Sequence, residues 1–480
     1  MTLIRFNITS QLLVSMLLLF PFVYLLSFLY AFRELSKGNS QGLIVYIIFG
    51  LSIYTTALAI VFNFGYRNFL PVLQSFKEVL VALVFLVSLW NLKRKLHFHF
   101  VDYAVAAFFS YTLLYALLPI GEQGLINRLI AFKTISFFCL VYATARLIDP
   151  KTVFISKYFH YLMVLAIFTA IVLVYEVRRD QHLQSLIGLA DYNYYIFNLE
   201  PSGNYGLSWT FESQAGFKRF ASFFASPLEH AGATLIALAV IAGVYTKDDY
   251  KFRPDLLGWL ALGATSLSIL FAISRSAFVS YCIVIYFYSI ITHKKYFLRF
   301  IHLSIVSVIT YFIYYLTQKD RYDEFVQEVI IDTLNFTNPS SVGHVLEWIQ
   351  GIMSIYTNPL GIGMGSSGRI GGSLGENIGG ENQYIIIGVQ AGIIALSIYL
   401  SIYVSIISNA QKWYKKMTKK ERQLALVILL IKIGFIVPSL TSELESSVYI
   451  SYVTWFLTGI FISIISEKNL NNEEEISSRG

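Results

Sequence analysis

Apolar stretches of about twenty residues recur along the whole chain, and no other feature of the sequence restricts its fold so strongly. A helix of about twenty apolar residues crosses a hydrocarbon layer near 30 Å thick and satisfies its own backbone hydrogen bonds while doing so. Hydropathy places such spans near 11–32, 42–63, 71–92, 99–118, 127–147, 153–176, 228–246, 254–273, 275–293, 297–316, 384–407, 421–439 and 446–466. Of 480 residues, 56% are hydrophobic and 14% charged, against about 25% charged in an ordinary soluble domain. The expected class is an all-α polytopic integral membrane protein of about 12–14 transmembrane helices.

The first stretch is of full span length and no small-residue cleavage pattern follows it before Arg33, so a retained helix is expected there. Cys139 and Cys282 both fall inside apolar segments, where cysteine packs as a small hydrophobe. They imply neither a disulfide framework nor a metal site.

The formal charge of +7 does not point to nucleic acid, because the basic residues form short clusters between spans rather than one stripe. Clusters at Lys93-Arg94-Lys95, Arg146 and Lys151, Lys247 to Arg253, Lys294-Lys295-Arg299, and Lys412 to Arg422 mark every second connection. Lysine and arginine mark cytoplasmic loops. The other connections are then external, including two long loops that carry short amphipathic helices. The chain divides into N-terminal helices (1–176), an external aromatic-rich loop (177–227), central helices (228–316), a large external loop (317–383), C-terminal helices (384–466) and a cytoplasmic tail (467–480) expected to be disordered. Thirteen spans imply an external N-terminus, and one span more or fewer at the start restores an internal one.

The first long loop carries Tyr192, Tyr194, Tyr195, Phe197, Tyr205, Trp209 and Phe211. Flat rings with polar edges suit stacking on sugars, and they equally suit an aromatic belt at the interface. In the second, Val342, Leu346, Ile349, Met353 and Tyr356 recur at helical spacing, with Ser340 as a cap and Asn358-Pro359 as a stop. A helix over 341–356 is expected to lie along the membrane surface, with His344 and Glu347 on a neighbouring face. A glycine-rich run follows, from Gly361 to Gly372 and on to Gly379-Gly380, which reads either as backbone approaching an anionic ligand or as a flexible loop. It is no P-loop, since no strand precedes it and the lysine is absent.

Charges at membrane depth are costly and are functional candidates by default. Arg219 precedes one span and Arg275 begins another, both on the external side; two such arginines form a permanently charged cradle for phosphate, or else snorkel to the interface. Glu381 stands immediately before a span, where a carboxylate takes a proton from a hydroxyl or simply complements the helix dipole. Glu229 and His230 form a second acid/base candidate, and Glu443 and Glu445 lie in the last external turn.

These fragments, in this order, resemble the O-antigen polymerase and ligase superfamily (Wzy-type and WaaL-type membrane glycosyltransferases). The likeness rests on Arg219-Phe-Ala-Ser-Phe-Phe-Ala-Ser-Pro227, on Ser274-Arg-Ser-Ala277, and on the Trp348 helix leading to Asn358-Pro-Leu-Gly-Ile-Gly-Met-Gly365. It continues through Glu381-Asn-Gln-Tyr384 to Gly392-Ile-Ile-Ala395, covering about 217–400. The resemblance implies a bacterial cytoplasmic (inner) membrane enzyme acting externally. Such an enzyme moves a glycan from a polyprenyl-diphosphate carrier to an acceptor hydroxyl, without cofactor or metal. It implies Arg219 and Arg275 as diphosphate ligands; the family often carries a further arginine near the start of the Trp-containing helix, where this chain has His344, and Arg369 is the candidate in its place. Beside these, Glu381, Glu229 and His230 are the acid/base candidates, and Trp209, His344, Trp348, Asn382 and Tyr384 the candidate glycan or acceptor contacts. The expected partners are the lipid-linked oligosaccharide, membrane lipid, and flippase and chain-length regulator proteins. Ligases of the family commonly carry His-Asn where this chain has Glu381-Asn382, which favours a repeat-unit polymerase over a ligase; a lipid-linked-oligosaccharide flippase is the rival from another class.

Overall fold

The computed structural model describes residues 2–213, 216–317, 339–375 and 377–477. The elements are α1 (Thr2–Ser36), α2 (Gly42–Asn63), α3 (Leu70–Trp90), α4 (Phe100–Leu117), α5 (Leu125–Leu147), α6 (Ile155–Arg179) and α7 (Leu189–Phe197). They continue as α8 (Pro227–Tyr245), α9 (Leu256–Phe271), α10 (Arg275–Ile291), α11 (Lys295–Leu316), α12 (Pro339–Thr357), α13 (Gly368–Ser373), α14 (Gln383–Lys416), α15 (Lys419–Gly434) and α16 (Val448–Ser477). Among the described residues ten helices are long and apolar enough to cross a membrane, and α9 and α10 are shorter apolar helices. The chain is an all-α, multi-pass membrane protein, and every expected span coincides with a helix.

The most apolar stretches of α8, α15 and α16 are 83%, 78% and 94% buried, against 17% for α1, so the first three form the centre of the bundle and α1 its lipid face. Between lipid-immersed helices the hydrophobic effect gives little attraction, and small residues that let backbones approach become decisive. A Cβ on Gly459 of α16 would lie 2.6 Å from the Ala145 Cβ of α5, and one on Gly243 of α8 would lie 2.9 Å from the Gln423 carbonyl of α15.

The basic connections share one end. Arg94 and Lys151 both pair with Glu467, Lys468 with Glu421, and Arg422 with Asp248. Just inside this end, Arg146 grips Asp102 with Nε and Nη2 at 2.7 Å each and donates to Ser463 at 2.9 Å, joining α4, α5 and α16.

The first long connection contains helical turns at Leu183–Leu186, α7 and Trp209–Phe211, in line with the short helices expected in the long loops. The tail expected to be disordered continues α16 to Ser477, in a stretch rich in glutamate, a good helix former. The glycine run is not a free loop: Gly363 to Gly368 are buried, threaded into a break in α14 where Gly392 takes φ +78°. There the Ile362 and Gly363 N–H groups donate to the carbonyls of Val389 (2.8 Å) and Gln390 (3.2 Å), and the Ile393 N–H donates to the Pro359 carbonyl (2.8 Å). Irregular backbone at membrane depth is tolerated only when buried in protein with its polar groups paired, and the two irregular segments satisfy one another. Gln390 completes the stitch through Gly365 N (3.1 Å) and Ser367 O (2.9 Å).

Candidate functional site

Arg219 stands on an irregular segment that side chains from the surrounding helices hold in place. The Glu176 carboxylate at the end of α6 accepts from the backbone N–H of Leu183 and Ser222, each at 2.8 Å. Gln184 donates to the carbonyls of Ser222 (2.7 Å) and Phe224 (2.9 Å), and Thr56 to that of Phe223 (2.7 Å). Ser222 takes a positive φ of 53°, a conformation tolerated only where surroundings over-determine it. The result is a rigid turn that delivers Arg219 to the end of α9, where its Nε donates to the Ala272 carbonyl at 3.3 Å. Three residues further on, Arg275 opens α10.

Burial depresses the Arg219 pKa to about 10; the nearby Arg275 cation adds to the fall and Glu381 opposes it. Arg219 therefore remains a cation at physiological pH. Glu381 is exposed to solvent, yet protein flanks it closely. That desolvation raises its carboxyl above the usual range, with Glu347 adding to the rise and His344, Arg369 and Arg219 opposing it. Residues 219, 275 and 381, far apart in the chain, thus share one electrostatic environment.

α12 supplies the wall beside Glu381. His344 Nδ1 lies 3.5 Å from Glu347 Oε2, and Glu347 packs on Gly380, where a Cβ would fall 2.0 Å from its carboxylate. Gly351 of α12 meets Gly379 in the same way. The opposite side of α12 exposes Leu346, Ile349, Ile352, Met353 and Tyr356, the apolar stripe expected of a helix at the membrane surface. Among the described residues Trp348 Nε1 is a buried donor without a partner.

α13 begins beside the turn between α15 and α16. The Arg369 N–H donates to Glu443 Oε2 at 3.0 Å, and burial pushes the Glu443 carboxyl up to about 7, opposed by that N–H and by the Arg369 side chain and augmented by Glu381. The Arg369 guanidinium is exposed and sits 5.3 Å from the Phe197 ring of α7.

Other candidates occupy structural positions. Glu229 accepts from Ser447 Oγ (2.8 Å), Ala225 N (3.1 Å) and Tyr449 N (3.4 Å), so its oxygens tie α8 to α16. His230 is fully buried, with Nδ1 3.0 Å from the Phe220 carbonyl, and positions the Arg219 segment from beneath. Asn382 caps α14 through Tyr384 N (3.0 Å) and Ile385 N (3.2 Å). Tyr384 is half-buried edge-on to Tyr399. Trp209 is exposed on the turn whose Phe211 carbonyl accepts from Arg219 N at 2.9 Å.

Sequence reasoning missed Glu176, Gln184 and Gln390 as the braces of the site. Glu176 carried a usable signal, a carboxylate inside an apolar stretch. Among the described residues no group of three His, Cys, Asp or Glu side chains is arranged to hold a metal ion. No family model matches the chain, and no curated protein matches it.

Proposed function

We propose that the chain is a polysaccharide repeat-unit polymerase, transferring a glycan from a polyprenyl-diphosphate carrier to a sugar hydroxyl of a second lipid-linked oligosaccharide. The observation that carries this reading is the convergence of Arg219, Arg275 and Glu381 at the end of the bundle opposite the basic connections. By the positive-inside rule that end faces outward from the cytoplasmic membrane. Arg219 and Arg275 hold the diphosphate by charge-assisted, bidentate hydrogen bonds. Glu381 accepts the proton of the acceptor hydroxyl as its oxygen bonds to the anomeric carbon. The carbon–oxygen bond to the diphosphate breaks in the same step, and polyprenyl diphosphate leaves with the electron pair. A carboxylate raised above its ordinary pKa is a stronger base and better matched to this task. Trp348, Trp209 and His344 are the proposed glycan contacts.

The break in α14 gives a flippase reading its one specific support, because interrupted helices are a recurrent feature of transporters. The two part in one experiment: purified protein in liposomes with a lipid-linked oligosaccharide and no nucleotide sugar. A product ladder at repeat-unit spacing supports the polymerase. Transfer only to an added lipid or protein acceptor means a ligase. Movement of unaltered substrate across the bilayer, with no new product, means a flippase.

A further inference from the structure

A second charged cluster lies within the membrane-spanning part of the N-terminal half, and the chemistry above does not use it. Lys77 and Glu78 of α3 and Lys133 of α5 sit about eight residues in from their helix starts, or about 12 Å down the helix axis. Glu78 Oε1 lies 3.1 Å from Lys77 Nζ and 3.2 Å from Lys133 Nζ. Lys77 also donates to Tyr54 Oη and to the Gln74 carbonyl, each at 2.8 Å. Two ammonium groups thus face one carboxylate, and the cluster holds an excess positive charge where charge is expensive.

The two lysines differ in access. The Lys77 side chain is 11% exposed, whereas that of Lys133 is 53% exposed on the outer surface of a membrane helix. Its neighbours on that surface, Leu129, Ile130 and Val79, are exposed and apolar. Apolar flanks around a cation at this depth match a ligand with hydrocarbon tails and an anionic head.

The cluster is also continuous with the proposed active site. Gln74, whose carbonyl holds Lys77, donates through Nε2 to Tyr192 Oη at 3.0 Å. The Tyr192 ring meets Phe197 edge-on at 6.4 Å, and Phe197 lies beneath the Arg369 guanidinium. Beside these residues α2 changes from a π-helical turn, Tyr46–Gly50, to a 3-10 turn, Leu51–Ile53, the kind of irregularity that often accompanies functional sites.

We propose that Lys133 and Lys77 form a second anion site, open sideways to the membrane between α3 and α5, that takes the phosphate head of a lipid. Its assignment to the acceptor's isoprenoid diphosphate rests on the polymerase reading, in which both substrates are lipid-linked and two diphosphates must be held at once. Arg219 and Arg275 hold the donor's head; Lys133 and Lys77 hold the acceptor's. The chain through Tyr192 and Phe197 then directs the acceptor glycan toward Arg369.

The test is native mass spectrometry of the purified full-length chain with undecaprenyl diphosphate and, separately, with phosphatidylglycerol. Wild type is expected to retain two undecaprenyl diphosphates. Lys133→Gln is expected to retain one, Lys133→Arg two, and Arg219→Lys combined with Arg275→Lys one. The half-exposed position of Lys133 makes its replacement compatible with folding, which unchanged thermal unfolding verifies. Two undecaprenyl diphosphates bound to Lys133→Gln, with phosphatidylglycerol also retained as in wild type, would overturn the site. Loss of phosphatidylglycerol but not of undecaprenyl diphosphate in Lys133→Gln would overturn the acceptor assignment in favour of a membrane phospholipid. Two molecules retained by the double arginine variant, with one lost from Lys133→Gln, would refute the arginine cradle and leave the second site standing.

Discussion

At the scale of single residues, the polar and charged groups divide into those that the fold has satisfied and those that it has left facing outward. Glu229 has three donors and Asn382 two, so their exchange is expected to damage stability first. Glu381 is exposed and held by charges rather than by a cap. Glu381→Gln nearly preserves shape while removing the base. Turnover in the ladder assay is expected to fall by about 10²–10⁴, with substrate affinity nearly unchanged; undiminished turnover would remove Glu381 from the chemistry. Glu443 yields a prediction in stability. Below the ordinary carboxyl value of 4.5 it is protonated in both states. As pH rises the unfolded chain loses this proton first, and the folded chain holds it until about pH 7. Its contribution to stability is therefore full below pH 4.5 and is lost as pH rises toward 7. Thermal unfolding followed across that window is expected to fall less steeply with pH in Glu443→Gln than in wild type. The sequence brought most of these residues into consideration by type and position. It gave no means of telling Glu229 and His230 from Glu381, because that difference lies in partners contributed by α16 and by the Phe220 turn.

At the scale of elements, span placement was legible because length and apolarity are local properties. The region expected as one span over 384–407 is a longer helix broken at Gly392, and no local signal separates that glycine from one that merely sits in a helix. The difference lies in the Pro359–Gly361 backbone: a Cβ on Gly392 would fall 2.4 Å from the Leu360 carbonyl carbon, at φ +78°. Gly392→Ala is expected to destabilise the protein by about 1–3 kcal/mol from backbone strain alone, seen as a lower thermal midpoint together with lost polymer output. Gly263 of α9 is the contrast, since nothing lies within 4 Å of the Cβ it would gain. Gly263→Ala is expected to be neutral or to stabilise by about 0.5–1 kcal/mol. Equal effects at the two sites would mean that the threaded loop does not constrain α14. The same long-range packing explains why the glycine run read equally well as flexible: its spacing permits close backbone approach, but only α14 determines what is approached.

At the scale of the whole molecule, the alternation of basic and non-basic connections becomes a physical separation of two ends. Ion pairs among residues 94, 151, 248, 421, 422, 467 and 468 gather at one end. The arginine and glutamate cluster and the Gly121–Glu122 turn gather at the other, where Gly121 packs on the Ile362 carbonyl. The positive-inside rule then predicts that the basic end is cytoplasmic and that the candidate site lies outside. Single cysteines test this directly. Cys139 is buried but Cys282 is exposed, so the background is Cys282→Ser. Into it go Glu122→Cys at the site end and Lys151→Cys at the basic end, both on exposed connections and separated by α5 alone. On intact cells a membrane-impermeant maleimide is expected to label position 122 and not 151, and after permeabilisation to label both. Labelling of 151 but not 122 would turn the site toward the cytoplasm and remove the basis for external polymerisation. Labelling of both from outside would mean that α5 does not cross the bilayer, and since α5 also carries Lys133, the lateral anion site would fall with it.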